Sequence, residues 1–309
     1  MSRRGWLLFL TVGVVWGFPY LLIKEAVAGF SPVTVVFIRT AIGALLLVPL
    51  TASRRELMPV LRRWPTLVAF TVVEIAGPWV LLSDAERHLS SSVSGLLVAA
   101  VPLVGALIAF LAGGDDRVEP RRLAGLFVGM AGVAVLVGFD VGRSDLLAAG
   151  EIALLTIGYA IGPFIIARRM GGLSGTAVVA AAFSLTALAY AGPAAAQLTH
   201  VSPAGSAIAA AVVLGVLCTA FAFPMFFALI REVGPVRATV VAYINPAVAV
   251  LAGTVVLGES FGVSTGAGFV LVIAGSILAT RRRAAPQEAP VAEADVALAA
   301  SSAAGRSSV

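Results

Sequence analysis

Residues 206–230 form the uninterrupted apolar run SAIAAAVVLGVLCTAFAFPMFFALI, which contains no charged side chain. A helix rises about 1.5 Å per residue, so about 20 apolar residues are needed to cross a hydrocarbon core of about 30 Å. The run is long enough to do so, and it lacks the polar face of an amphipathic surface helix. It therefore predicts a helix that spans a lipid bilayer.

Nine other stretches repeat this pattern. The complete set is 6–24, 31–50, 64–83, 92–111, 122–139, 146–167, 174–196, 206–230, 237–257 and 262–280. Their length and their Ala, Leu and Gly content favour helices over buried strands. The composition agrees, because 60% of the 309 residues are hydrophobic and 12% are charged, whereas soluble domains carry about 25% charged residues. We predict an all-α integral membrane protein with ten transmembrane helices.

The excess of positive charge has two interpretations. A net charge of +5 and a pI near 10.1 fit a nucleic-acid-binding protein, or a membrane protein with basic cytoplasmic loops. With a cytoplasmic N-terminus, seventeen of the 21 Lys and Arg residues fall in cytoplasmic segments. Lys24, Arg87 and Arg143 fall on the other side, and Arg39 lies within a span. We therefore predict no nucleic-acid partner, a cell (inner) membrane location and cytoplasmic N- and C-termini.

The two ends of the chain differ from the spans between them. An N-terminal arginine pair, an apolar run and Ala26-Val27-Ala28 resemble a cleavable signal peptide. The run is longer than a usual signal core, however, and Lys24 and Glu25 stand just before the supposed cleavage site. We expect the first helix to be retained. Residues 284–309 are rich in Ala, Pro, Ser and Glu and contain no aromatic residue, which predicts a disordered cytoplasmic tail.

An internal repeat becomes visible when the sequence is shifted by 144 residues. The matched pairs are Pro19 with Pro163, Pro49 with Pro193, Pro102 with Pro246, Lys24 with Arg168, Arg87 with Arg231, and Asp115 with Glu259. Beyond these, Gly125 and Gly132 match Gly268 and Gly275 at a shift of 143. The alternative is coincidence, since prolines are common in membrane helices.

The repeat divides the chain into two five-helix units, predicted at residues 5–139 and 146–281. Five is an odd number, so the second unit must enter the membrane in the opposite sense to the first. Inverted-topology repeats of this kind place a transporter's substrate site near the bilayer midplane, between the halves, and permit alternating access.

The chain resembles the ten-helix EamA branch of the drug/metabolite transporter superfamily over about residues 5–281. The residues that carry the resemblance are Val15-Trp16-Gly17-Phe18-Pro19 with Lys24, Ser31-Pro32 with Arg39, and Asn245-Pro246-Ala247-Val248 with Leu257-Gly258-Glu259. The first half departs from the family at Gly113-Gly114-Asp115-Asp116, where a single Glu is usual. Which of Asp115 and Asp116 corresponds to Glu259 therefore stays open.

The resemblance implies an inner-membrane secondary transporter, of a kind that often exports amino acids, drugs or other small metabolites. The sequence contains no phosphate-binding GxxxxGK[ST] motif, which favours transport driven by a gradient, with protons as a candidate coupling ion. The expected partners are a small-molecule substrate and the lipid bilayer, without a cofactor, and the chain is a monomer or a homodimer. The alternatives are a channel or scaffold without transport coupling, or an intramembrane enzyme.

Few residues suit metal binding or catalysis. The single cysteine, Cys218, cannot form an internal disulfide or a CxxC site, and His88 and His200 are far apart in the sequence. The sequence has neither an HExxH motif nor a GxSxG motif. We expect no metal site and no enzymatic activity.

Arg39 and Glu74 are charged residues well inside predicted spans. At 1.5 Å per residue both lie about 12–13 Å from the same membrane surface, so they are candidate partners. If they pair, Glu74 is mainly structural; if they do not, Glu74 is a candidate proton-coupling carboxyl. Arg39 binds either an anionic group of the substrate or structural carbonyl and carboxylate groups.

Four further residues are candidates for a substrate-binding cavity. Glu151 lies about five residues inside its span and either lines an outer vestibule or sits at the interface. Trp16 and Tyr159 supply either cavity walls or packing. Asn245 precedes Pro246, which has no N–H and therefore frees a carbonyl one turn earlier. Its amide either satisfies that carbonyl or binds a ligand.

Overall fold

The computed structural model describes residues 2–111, 120–142, 145–234 and 238–280. These residues form helices and connecting segments, with no strand among them, which confirms the all-α class. The acidic pair Asp115 and Asp116 and the predicted tail at 284–309 lie outside the described residues.

The described residues of the first half form nine α-helices and one π-helical segment. They are α1 (Arg3–Val15), α2 (Pro19–Val27), α3 (Pro32–Ser53), α4 (Leu57–Leu61), α5 (Trp64–Phe70), π1 (Thr71–Ala76), α6 (Gly77–His88), α7 (Ser91–Val98), α8 (Val101–Leu111) and α9 (Pro120–Asp140).

The second half repeats the same kinds of element. They are α10 (Leu146–Arg169), α11 (Gly175–Leu198), α12 (Gly205–Val213), the π-helical segment π2 (Leu214–Phe221), α13 (Ala222–Val233), a 3₁₀-helix (Thr239–Tyr243), α14 (Asn245–Val256) and α15 (Val263–Thr280).

Seven continuous helical stretches of the described residues are long and apolar enough to cross a membrane. Three shorter apolar helices, Leu123–Phe139, Val241–Val256 and Val263–Ala279, fall on three of the other predicted spans. A count of ten fits this pattern. Large side chains on the outer faces agree with contact to lipid, for example Leu45, Phe127 and Val255, which are 73%, 75% and 79% exposed.

Several of the predicted spans are not single regular α-helices. The first span bends at residues 16–18, between α1 and α2, because Pro19 has no N–H to donate and its ring would clash with the carbonyl of Val15. The third and eighth spans each contain a π-helical segment. The fourth is interrupted at residues 99–100, just before Pro102.

The third span was predicted to end at residue 83, and this end is wrong. Helix α6 continues to His88, and its last turns bury Ala85 and Glu86 completely. The charges of this segment predicted a loop, but Asp84 and Arg87 face outward on one side of the helix while Glu86 faces the interior.

The two halves of the chain interlock through helix pairs. Helix α3 packs on α11, α6 on α10, α7 on α14, α12 on α2 and α13 on α1. In every one of these pairs, one helix comes from each half. The protein interior is therefore built mostly between the halves, which places side chains from both around a shared centre.

Helices α9 and α15 show how closely the halves approach. A Cβ atom on Gly125 would lie 2.8 Å from Leu278 Cβ, and one on Gly132 would lie 2.7 Å from the backbone nitrogen of Val272. Residue numbers thus rise along one helix as they fall along the other, so the last helices of the two halves run antiparallel. Small residues permit such close contact between membrane helices.

Candidate functional site

Both π-helical segments occupy the same position in the repeat. Shifted by 144 residues, π1 falls on residues 215–220, within π2. Glu74 in π1 is thereby the counterpart of Cys218 in π2. Short π-helical segments inside α-helices are frequently found at functional sites, since the extra residue re-aims nearby side chains. The candidate site lies around these two segments and the bend between α1 and α2, which contacts π2.

Trp16 lies at that bend and faces Cys218. The Trp16 indole Nε1 donates to the Cys218 carbonyl at 3.2 Å, and the Cys218 thiol Sγ donates to the Val15 carbonyl at 3.4 Å. Val15 is four residues before Pro19, so its carbonyl loses its helical partner at the bend. The thiol supplies a replacement donor, and the contact holds the bend against π2.

Trp16 also begins a row of aromatic rings that leads to Arg39. Its ring centroid lies 5.2 Å from that of Phe223, which lies 5.3 Å from Phe183, and Phe183 lies 5.6 Å from Trp79. We call Trp16, Phe223, Phe183 and Trp79 the aromatic row. The rings come from the bend after α1 and from α13, α11 and α6, so the row joins both halves of the chain.

Arg39 is 4% exposed and lies at the Trp79 end of the aromatic row. The guanidinium carbon is 3.5 Å from the Trp79 ring centroid, a cation–π contact. Its Nε donates to Thr219 Oγ1 at 3.3 Å, and Thr219 Oγ1 donates in turn to the Leu214 carbonyl at 2.9 Å. Arg39 therefore binds to π2 and to an aromatic face.

Glu74 does not pair with Arg39. The ion pair found among the described residues joins Arg87 to Asp84. The Glu74 Oε2 atom is buried and has no hydrogen-bond partner among the described residues. It lies against Gly162, where a Cβ atom would overlap it. Glu74 could have been paired with Arg39 or unpaired, and in the structure it is unpaired.

Tyr159 lies between the two charged residues. It interacts electrostatically with Glu74 and with Arg39, and it also interacts with the indole of Trp79. Its ring packs against both of the two larger hydrophobic cores of the protein. The structure thus brings Trp16, Arg39, Glu74 and Tyr159 into one region, which we call the central cluster.

Asn245 lies at the start of α14 and joins it to α1. With its amide nitrogen facing two backbone carbonyls, it donates to Val241 at 3.1 Å and to Gly13 at 3.0 Å. Neither of these is the carbonyl of Ala242, which Pro246 leaves without its helical partner. Asn245 also connects the 3₁₀-helix to Gly13 of α1, which lies less than one helical turn before Trp16.

Glu151 lies apart from the central cluster. Its electrostatic neighbours are Asp84 and His88, near the end of α6, and its Oε2 atom has no hydrogen-bond partner among the described residues. The side chain is partly exposed. Glu151 therefore lies near the end of α6 and not among the residues of the central cluster.

The sequence prediction missed Glu86, which is fully buried. Neither oxygen of its carboxyl group has a hydrogen-bond partner among the described residues. Extending the third span by one turn would have revealed it. The available signal was that Leu82, Ala85 and Leu89 continue the helical spacing on the face that the structure buries.

Glu259 was predicted from its motif, but its contacts were not. The carboxylate accepts from the backbone nitrogen atoms of Ser91 at 2.7 Å and Ser92 at 3.0 Å, and from Ser92 Oγ at 2.6 Å. Gly258, with a φ of +66°, provides the turn that brings it there. Burial alone would raise the pKa of Glu259, but the hydrogen bonds from Ser92 and Ser91 hold that pKa below its ordinary value. An ionised Glu259 thus caps the N-terminus of α7.

A model of the EamA-like transporter family matches residues 3–138 and matches again at residues 147–281. The chain belongs to the EamA-like transporter family. As an EamA-like protein it has two copies of the family's unit, and it is a membrane transporter.

Two curated relatives support this assignment. The uncharacterized inner membrane transporter YedA of Escherichia coli strain K12 is 26% identical over 254 residues, which cover 80% of this chain and 81% of YedA. The uncharacterized transporter YvbV of Bacillus subtilis strain 168 is 22% identical over 94% of this chain and 96% of its own. The names of both relatives agree with a transporter rather than an enzyme.

A solved crystal structure shares the fold. It aligns with a TM-score of 0.65 over 90% of this chain and 98% of its own length, at 24% sequence identity. In the described part of this EamA-like chain, no group of three or more His, Cys, Asp or Glu residues is placed to hold a metal ion.

Proposed function

We propose that the chain is a secondary active transporter that exports a small metabolite, an amino acid or a drug-like compound by alternating access of two inverted repeats. The repeats comprise residues 5–139 and 146–281, in the inner membrane, with both termini cytoplasmic. The antiparallel packing of α9 on α15, the last helices of the two halves, supports the inverted arrangement. Export is the direction favoured by the family resemblance.

The observation that carries the proposal is the unpaired Glu74 in the interior of a membrane transporter, where Tyr159 interacts both with it and with Arg39. Ionisable groups in this environment are costly, and they commonly mark substrate or ion pathways. In this proposal Glu74 binds and releases the coupling proton. Arg39 and Tyr159 contact the substrate or orient Glu74, while Trp16 and Asn245 hold the bend of α1 at the edge of the same region.

The π-helical segments support alternating access. A π-helical segment has one residue more than the α-helical turn that it interrupts, so its conversion to an α-helix rotates one part of the helix relative to the other. Because π1 and π2 occupy equivalent positions, either half can undergo the same change. Motion at π1 would carry Glu74 with it.

The test is substrate counterflow in proteoliposomes against a panel of amino acids and amphipathic drugs, with and without a pH gradient. We expect accumulation of at least one compound, and a dependence on the gradient. Glu74→Gln should abolish transport or uncouple it from the gradient while leaving the amount of protein in the membrane unchanged. Gradient-dependent transport at the wild-type level in Glu74→Gln would remove Glu74 from the mechanism.

A further inference from the structure

Glu86 is a buried carboxyl that the central cluster does not use. It lies in the last turn and a half of α6, twelve residues after Glu74 and so about 18 Å further along the helix. Its side chain is completely buried, and both carboxyl oxygens lack hydrogen-bond partners among the described residues. A charged carboxylate is costly in such a place unless it is paired.

Lys24 interacts with Glu86 electrostatically, but its ammonium group is hydrogen-bonded elsewhere. Lys24 Nζ donates to the main-chain carbonyls of Glu86 at 2.6 Å and Leu89 at 2.7 Å, and thereby caps the end of α6. It makes no ion pair with the Glu86 carboxylate, since the ion pair found in the described ranges is Arg87 with Asp84. Lys24 therefore stabilises the end of the helix, and the acid beside it has no direct counter-ion.

The other groups around Glu86 come from every side of it. Tyr20 on α2 and Glu259 before α15 interact with it electrostatically, as does Lys24. Ser94 on α7 faces the Glu86 carboxyl group, and its hydroxyl is the hydrogen-bond donor that interacts with that group.

The charged groups on the two remaining neighbouring helices are engaged elsewhere. On α10, Glu151 interacts with Asp84 and His88. On α3, Arg39 lies over Trp79. The side chain with an exchangeable proton that leads from Glu86 toward the centre of the protein is Tyr20.

Tyr20 links Glu86 to the central cluster. It is 7% exposed, and its ring packs against α7, 3.4 Å from the Cβ position of Gly95. It interacts electrostatically with Tyr159 as well as with Glu86, and Tyr159 interacts with Glu74. Electrostatic interactions thus connect four side chains with exchangeable protons, in the order Glu86, Tyr20, Tyr159 and Glu74.

We propose that Glu86 is a second proton-binding site, and that protons pass between it and Glu74 through Tyr20 and Tyr159. This inference rests on the proposed function, in which Glu74 carries the coupling proton. Glu86 lies near the end of α6 that the charge distribution assigns to the outer surface, and it receives protons from that side. Water molecules between neighbouring groups would complete the path, because bridging waters replace direct hydrogen bonds effectively.

The transfer conserves protons and charge at every step. Protonated Glu86 gives its proton toward Tyr20, whose hydroxyl passes its own proton toward Tyr159. Tyr159 in turn passes its hydroxyl proton to the Glu74 carboxylate. Both tyrosines end neutral, as they began, and Glu86 is left as a carboxylate that takes up a proton from the outer water. The net result is one proton moved inward to Glu74.

The first test measures proton binding without substrate. Purified full-length protein in lipid bilayers is cycled between two pH values, and infrared difference spectra record the C=O stretch of protonated carboxyl groups. We expect Glu86→Gln to remove one component and Glu74→Gln to remove another. Glu25→Gln, on α2, is the matched control and should remove neither. Retention of every component in Glu86→Gln would overturn the proposal.

If Glu86→Gln does not fold, Glu86→Asp replaces it. This variant keeps a carboxyl group but changes its surroundings, so one component should shift. An unchanged spectrum overturns the proposal equally.

The second test measures the path. After a rapid change of external pH, the appearance of the infrared C=O band of protonated Glu74 is followed in time. Tyr20→Phe and Tyr159→Phe should each slow it on the order of a hundredfold, because each removes a proton-transfer group. Tyr190→Phe, a tyrosine outside the path, should keep the wild-type rate. Wild-type rates in both path variants would exclude the path.

The two proposals fail in different ways. Absence of counterflow with intact infrared components would remove the transport mechanism and leave the second proton site. Gradient-driven counterflow with unchanged spectra in Glu86→Gln would leave the transport mechanism and remove the second site.

Discussion

The carboxyl group of Glu74 lies directly against Gly162, so closely that a Cβ atom on the glycine would overlap Oε2. Glu74 comes from the first half of the chain and Gly162 from the second. The Glu74 carboxyl group can therefore lie there only because the residue that it contacts in the other half is a glycine, which has no side chain.

Gly162→Ala should displace Glu74 and reduce transport strongly. Overpacking at such a contact costs about 1–3 kcal/mol of stability, and the carboxyl group must move away from α10. The measurements are counterflow and thermal unfolding in detergent. Gly150→Ala is the control on the same helix, because a Cβ atom there meets nothing within 4 Å. Equal activity in the two variants would contradict the assigned position of Glu74.

Arg39→Lys should lose function although the positive charge is retained. A lysine ammonium lacks the planar guanidinium that stacks on Trp79 and the Nε that donates to Thr219. The cation–π contact is worth about 0.5–2 kcal/mol, so both the unfolding temperature and transport should fall. Arg231→Lys, at an exposed position, is the comparison. A lysine variant as stable and active as the wild type would mean that the charge alone matters.

Glu259→Gln should destabilise the protein at neutral pH by about 1 kcal/mol, since it removes the charge that caps α7. The pKa of Glu259 is lowered in the folded protein, so its contribution is present above the ordinary glutamate pKa of 4.5 and is lost as the pH falls through the folded value. Wild-type stability should therefore approach that of the variant in acid. Unfolding temperatures over a pH series test this, with Glu56→Gln as a control. A constant difference at all pH values would contradict it.

Gly275→Ala should separate α15 from α9. A Cβ atom there would overlap backbone atoms of Gly129, and backbone cannot move aside as a side chain can. We expect a loss of about 1–3 kcal/mol or more, seen as a lower unfolding temperature and reduced accumulation in the membrane. Gly138→Ala on α9, where a Cβ atom meets nothing within 4 Å, should behave as the wild type. Similar stability of both variants would exclude tight glycine packing.

The class of fold was predictable because the bilayer imposes a length and a composition on each spanning segment. The proline and glycine spacing also predicted a repeat, and the family's unit matches twice along the chain. The π-helical segments were not predictable, since adding a residue to a turn changes the backbone register without a distinctive residue type. They occur in TVVEIA and LGVLCTAF, which are ordinary apolar helix sequences.

The depth of the candidate site residues within the membrane was predictable, but the direction in which their side chains point was not. Arg39 and Glu74 were correctly placed within helices, yet equal depth says nothing about which side of each helix carries the group. Arg39 faces Trp79 and π2, and Glu74 faces Gly162. Glu86 was missed for a related reason, because the boundary of α6 was set by charge rather than by which face is buried.

Helix α10 runs unbroken across Pro163, whereas its counterpart in the first half is divided before Pro19. Two matching prolines thus have two different backbone conformations in one molecule. With the halves inverted as proposed, exchanging these conformations would yield the same shape as seen from the opposite face of the bilayer. This one structure would then indicate the backbone conformations at both ends of the transport cycle. At the opposite end, α1 and α2 would be joined into a continuous helix, and α10 would be divided before Pro163.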